Sequence, residues 1–174
     1  YLIGRERVVM KYDYQDLPEY VTVWTDTDYA GCRRTRKSTS GGLVVLGEHV
    51  LKTWSQTQAV VALSSGEAEY YGLVKGGSVG LGFAAILKEL GLELKIRLKT
   101  DASAAIGIAS RRGLGKIRHI EVTQLWLQDK VNQGKVIIEK VDGKINRADA
   151  LTKYLDAEGI QKNSEWLSCR LPAG

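Results

Sequence analysis

Four acidic residues stand where a folded chain could bring carboxylates together: Asp26, Glu69, Asp101 and Asp149. Asp26 closes an alternating β-branched and aromatic run, YVTVWTD over 20–26, and Asp101 closes a second, LKIRLKTD over 94–101. A basic, hydroxyl-rich stretch follows the first acid: Arg33, Arg34, Arg36 and Lys37, then Ser38, Thr39 and Ser40. An acid that ends a strand beside a cationic loop suits a metal-dependent phosphate site. Clustered carboxylates repel one another and raise each other's pKa. A divalent cation resolves that conflict, and Mg²⁺ prefers oxygen ligands while keeping waters for substrate phosphates. Two such ions about 3.5–4 Å apart can activate water and stabilise the leaving oxygen of a phosphodiester. No Ser-His-Asp ordering, phosphate-binding Walker loop or paired Cys motif competes with this chemistry.

Each acid also has a plainer role open to it. Asp26 competes with Asp28, which stands two residues on in the turn; the strand position holds a ligand more rigidly. Glu67 and Glu69 compete in the following helix, where residues two apart do not share a face. Ser64 and Glu67 fit a capping box, which accounts for Glu67 and leaves Glu69 for the site. Asp101 could cap the helix after it. Asp149 could be an acid favoured by a helix dipole after an Asn146 cap. Singly each signal is weak, and their convergence is what points to a site.

The elements that would position these acids are legible in order. Strands are expected over 21–26, 43–46 and 50–54, the last two joined by a hairpin at 47–49, so the first three form an antiparallel meander. A helix is expected over 64–90, stopped by Gly91. Its internal Gly72, Gly76, Gly77, Gly80 and Gly82 predict a bend or break between Gly76 and Gly82. Another strand at 94–101, a small-residue helix at 102–110, an amphipathic helix at 120–133 and a strand at 136–141 follow, then a helix after Asn146 carrying Ala148, Leu151 and Leu155 inward. Helical crossovers make the later strands parallel to the first. The fold class is α/β, and sites in such sheets form beyond the carboxyl ends of strands. Gly41 and Gly42 are expected to let backbone approach a nucleic-acid strand. A second basic loop carries Arg111, Arg112, Lys116, Arg118 and His119 as further phosphate contacts. His49 lies in the hairpin and is expected to be inert.

The net charge of +5 and isoelectric point near 9.2 favour an anionic partner, and nucleic acid is the usual one. Cys32 and Cys169 stand far apart in no metal-ligand spacing, which points to a reduced intracellular protein. No apolar run approaches the ~18 residues of a membrane span, so no membrane partner is expected. Residue 1 is Tyr and no signal peptide precedes the domain, which reads as a piece of something longer. The expected divisions are a leader at 1–19, a catalytic domain at 20–156 and a tail at 157–174 in which Trp166 is the anchor.

Several motifs carry a resemblance. TDTDYAG at 25–31, RKSTSGG at 36–42, VALSSGEAEYYGL at 61–73, TDASAAI at 100–106, RHIE at 118–121 and ADALTK at 148–153 resemble the ribonuclease H domain of copia-type retrotransposon Pol polyproteins. The resemblance implies a ribonuclease H-like fold: a five-stranded mixed sheet, three antiparallel strands then two parallel, with helices on both faces. It implies metal-dependent cleavage of RNA within an RNA/DNA hybrid, with Asp26, Glu69, Asp101 and Asp149 as the catalytic, metal-binding acids. Asp26 would bridge two Mg²⁺ ions, with Mn²⁺ as a substitute. It also implies an upstream reverse transcriptase domain in the same polyprotein, whose junction the leader resembles. The chain departs from the family at Cys32, often acidic there, and at Gly66, often Thr. The loop before Asp149 has no histidine, and His119 is considered in its place. The cationic Lys95, Arg97 and Lys99 are unexpected on a strand covered on both faces. The alternative reading is a hybrid-binding module, weak or inactive in catalysis, that depends on the missing polymerase.

Overall fold

Alternation of β-branched and aromatic residues with polar ones produces the centre of the structure. In the computed structural model, which describes residues 9–115, 120 and 122–170, the first such run is strand β2 (Tyr20–Asp28); a short strand β1 (Val9–Met10) precedes it. β3 (Thr39–Leu46) and β4 (His49–Thr57) complete an antiparallel meander around a Gly47-Glu48 turn. β5 (Lys95–Thr100) pairs parallel to β2, and β6 (Val136–Lys140) parallel to β5. The sheet order is β4-β3-β2-β5-β6: three antiparallel strands, then two parallel, as expected.

Helix α1 (Ser65–Glu89) crosses one face. Its start is the capping box read from the sequence: Ser64 Oγ accepts from Glu67 N over 3.2 Å, and the Glu67 carboxylate reaches back to Leu63 N over 2.9 Å. Its end is Gly91, at φ +83°. The expected bend between Gly76 and Gly82 is absent, and α1 runs unbroken for 25 residues. The reason is contact rather than propensity. A Cβ at Gly76 would lie 2.5 Å from Thr25 Cγ2, and one at Gly72 would lie 2.6 Å from Thr27 Oγ1. These glycines let the helix backbone rest directly on β2. Burial of Val21, Val23, Ile96 and Leu98 beneath it, with Leu73 of the helix itself, stabilises the pairing by about 1.5–3 kcal/mol per large side chain.

Helices α2 (Ser103–Ala109) and α3 (Trp126–Asn132) make the crossover from β5 to β6. The helix expected over 120–133 is shorter than its pattern. A 3-10 turn at Val122–Gln124 precedes α3, and the Tyr70 hydroxyl donates to the Gln124 carbonyl at 2.8 Å. Ile120 and Leu127 are buried.

On the other face Trp24, Leu43, Val45 and Val50 pack against Val141 and Ala148. The helix expected after Asn146 is only a 3-10 turn, Asp149–Leu151. The Asn146 side chain ties this segment to the sheet, donating to Thr25 O at 3.0 Å while accepting from Ala148 N at 3.1 Å. The tail expected from 157 onward opens with α4 (Ala157–Trp166), capped by Asp156, whose carboxylate accepts from Gly159 N. Leu167, beyond α4, reaches the second apolar cluster, while Trp166 lies half-buried under the Lys162 ammonium.

β7 (Cys169–Arg170) pairs antiparallel with β1. The leader grips the hairpin as well: Gln15 donates to Leu46 O and accepts from Glu48 N, and His49 Nε2 lies 2.7 Å from Asp13 O. His49 therefore anchors the leader.

Candidate active site

The parallel pairing of β2 with β5 ends at Trp24 opposite Lys99. Two residues beyond each of these stand Asp26 and Asp101, on matching positions at the mouth of the sheet. Glu69, in the second turn of α1, completes the group: one carboxylate oxygen from each of the three lies within 4.8 Å of the others. Asp26 is 2% exposed. The rival Asp28 ends β2 beside the Gly31 turn, and Glu67 is occupied by Leu63 N and Tyr71 Oη. α2 is capped at Ala102 without a side-chain bond, so Asp101 is not its cap.

The electrostatics are those of an under-compensated acid cluster. Burial, then the charges of Asp26 and Asp101, push Glu69 up to about 8. Burial also raises Asp26, against an opposing hydrogen bond from Thr152 and the charge of Lys153. Glu69 Oε2 is buried and has no hydrogen-bond partner. An orphaned carboxylate oxygen facing two further acids fits a hard divalent cation, whose oxygen coordination would satisfy it.

Asp149 stands apart from the triad in its contacts. Its Oδ1 lies 2.8 Å from Lys153 Nζ, and the same ammonium lies 3.6 Å from Asp26 Oδ1. Thr152 Oγ1 donates to the other Asp26 oxygen. Thr152 and Lys153 were missed as site residues. Their signal was spacing: three and four residues after an acid, they share its face of a helical turn.

The basic loop divides. Arg33, Arg34 and Arg36 are exposed and Lys37 half-buried, with its ammonium on Ala59 O at 2.6 Å. Ser38 and Ser40 are built into the fold. Ser38 Oγ, fully buried, accepts from Ala30 N; Ser40 Oγ, also buried, accepts from Gln58 Nε2 at 2.7 Å. Thr39 opens β3, half-buried. Gly41 and Gly42 lie close against their own chain: a Cβ at Gly41 would lie 2.6 Å from Thr152 Cγ2, and one at Gly42 would lie 2.1 Å from the Trp54 ring.

In the second loop Arg112 is exposed, while Arg111 donates to Leu114 O of its own loop at 2.6 Å. Buried Gln128 pins this loop through Gly113 N, Gly113 O and Ile108 O. Lys116, Arg118 and His119 lie outside the described residues. Two of the three cations of β5 have partners: Arg97 stacks on Tyr20 at 3.8 Å, Lys99 on Trp24 at 4.9 Å, and both pair with Glu139 of β6, while Lys95 is exposed.

Comparison with known proteins agrees with this fold. The fold matches LC11-RNase H1, isolated from compost, with a TM-score of 0.53 at 17% identity, covering 83% of this chain and 97% of that one. A structure of LC11-RNase H1 in complex with RNA/DNA hybrid matches at 0.50 and 15% identity, covering 75% of this chain and 92% of that one. The fold is therefore that of a ribonuclease H. In sequence, the chain is 32% identical over 134 residues, 76% of its length, to the retrovirus-related Pol polyprotein from transposon TNT 1-94 of Nicotiana tabacum. Its relatives in sequence are retrovirus-related Pol polyproteins of plant transposons and its neighbours in fold are ribonucleases H, in agreement with the resemblance its motifs carry. It spans about a tenth of the length of the polyproteins it matches. No protein-family model matches it. Among the described residues no helix is long and apolar enough to cross a membrane.

Proposed function

We propose that this domain hydrolyses the RNA strand of RNA/DNA hybrids during reverse transcription, as part of a polyprotein that also carries the reverse transcriptase. The observation that carries the reading is the meeting of Asp26, Glu69 and Asp101 within 4.8 Å, with a Glu69 oxygen left without a partner. These three acids, with Asp149 beside them, are the residues that would hold two divalent cations, Mg²⁺ or Mn²⁺. Such cations supply a nucleophile at neutral pH and neutralise charge on the leaving oxygen.

The chain's own residues do the positioning. β2 holds Asp26 two residues before its end, Asp101 directly follows β5, and α1 presents Glu69 from the side. The Thr152 hydroxyl orients the Asp26 carboxylate. Arg33, Arg34, Arg36 and Arg112 offer exposed cations that would set the register of a duplex through its phosphates. Discrimination of RNA from DNA rests on the 2′-hydroxyl in this reading. The unit proposed to do this is 20–156, with 157–170 tied to the leader through β1 and β7.

The test is cleavage of a labelled RNA/DNA hybrid by the chain with Mg²⁺ and with chelator, beside Asp101→Asn. Cleavage that needs the metal and is lost in the variant supports the reading. Hybrid bound but never cut, with either Mg²⁺ or Mn²⁺, would replace it with a hybrid-binding module dependent on the polymerase.

A further inference from the structure

The turn that carries Asp149 presents three different groups to one place. Asp149 supplies a carboxylate, Thr152 a hydroxyl bonded to one Asp26 oxygen, and Lys153 an ammonium directed at the other. Lys153 Nζ lies 2.8 Å from Asp149 Oδ1 and 3.6 Å from Asp26 Oδ1. An ordinary pair four residues apart on a helical surface contributes little. This one differs because its second partner, Asp26, is buried and belongs to the acid cluster. Both of its partners are carboxylates, and a lysine ammonium ordinarily carries its charge at neutral pH.

A single cation bridging a carboxylate of the triad to Asp149 does the electrostatic task that a second divalent ion would do there. The two cannot share the position, because like charges at contact distance in a partly buried site repel strongly. Lysine is suited to leaving. Its ammonium is a point charge on a flexible four-carbon stem, and this side chain is 46% exposed, so solvent is open to it.

We propose that Lys153 is the resident cation between Asp26 and Asp149, and that it sets the affinity of that position for a divalent ion because it must swing out before the ion enters. The inference rests on the reading of the acids as divalent-cation ligands. In the metal-free chain Lys153 holds Asp149 in register with the site. In the loaded chain it is displaced.

The test is calorimetric titration of Mn²⁺ into the substrate-free chain, with thermal unfolding in chelator beside it. Wild type is expected to show a tighter binding event at Asp26, Glu69 and Asp101, and a weaker one that Asp149→Asn removes. Lys153→Gln should tighten the weaker event about tenfold and leave the tighter one within about twofold. Lys153→Arg, which keeps the charge, should resemble wild type. In chelator at pH 8, Lys153→Gln should unfold at a lower temperature than wild type. A weaker event that Lys153→Gln leaves unchanged or loosens, beside an intact tighter event, overturns the role given to Lys153 while the metal site stands. An absence of Mn²⁺ binding in both wild type and Lys153→Gln overturns the metal reading itself, and this inference with it.

Discussion

The Asn146 side-chain amide donates to the backbone carbonyl of Thr25 over 3.0 Å, joining residues 121 positions apart. Thr25 precedes Asp26, and Asn146 leads into the turn of Asp149. One buried amide therefore fixes the distance between two acids that lie far apart along the chain. Asn146→Ala removes this bond and the one to Ala148 N, leaving Thr25 O buried without that partner. A loss of about 1–3 kcal/mol is expected in denaturant unfolding. Metal-dependent cleavage should fall more steeply than stability, because the Asp149 turn is released from β2. Full activity at reduced stability would mean that Asp149 finds its place without Asn146.

The glycines of α1 separate contact from propensity. Gly76→Ala drives a methyl into Thr25 and should cost about 1–3 kcal/mol by overpacking. Gly82 is exposed, with nothing within 4 Å of an added Cβ. Gly82→Ala should stabilise the chain by up to about 1 kcal/mol through helix propensity alone. Denaturant midpoints of the two variants would read both signs directly, and equal shifts would contradict the close helix–sheet contact.

The pH dependence of the metal-free chain follows from Glu69. Its folded pKa of about 8 stands above the ordinary carboxylate value of 4.5. The folded chain keeps a proton there that the unfolded chain has released, so stability falls as pH rises from about 4.5 to about 8. In chelator the melting temperature should drop by several degrees across that window. Glu69→Gln should flatten the slope and abolish cleavage. Divalent cations must displace the proton at pH 6 but not at pH 9, so their stabilising effect should grow with pH. A melting temperature that is level or rising over pH 5–8 would refute this account.

The exposed arginines predict salt behaviour. Replacing Arg33, Arg34 and Arg36 together by Ala should weaken hybrid binding with little dependence on sequence. It should lower the slope of log K against log salt by up to about 3, about 1 for each phosphate that is no longer neutralised. Anisotropy of a labelled hybrid at several salt concentrations measures it. Ser38→Ala should act differently, weakening the fold by leaving Ala30 N without its acceptor while that slope stays unchanged.

Much of the fold is written in local pattern. The strict alternation of 94–101 reports β5, Ser64 with Glu67 reports the start of α1, and Gly91 reports its end. The site was legible as far as local rules reach: capping claimed Glu67 and left Glu69 for the cluster, where it is found. The bend expected in α1 failed for a physical reason. The five glycines of α1 predicted a bend because propensity describes an isolated helix, whereas here β2 fills the space their side chains vacate. Ser38, Ser40, Gly41 and Gly42 looked like a phosphate loop because hydroxyls and glycines suit one. They are buried because β3 extends opposite Asp26 and receives the Asp149–Leu151 turn from above.

By itself the sequence determined which residues are acids at strand ends, where helices begin and stop, and which motifs resemble a known family. These depend on neighbours within a few positions. Only the tertiary structure decided that Asp26 and Asp101 align two residues beyond the last parallel pair, and that Lys153 stands between Asp26 and Asp149. Those relations depend on strand register and on contacts more than a hundred residues apart, where periodicity along the chain carries no information about distance in space.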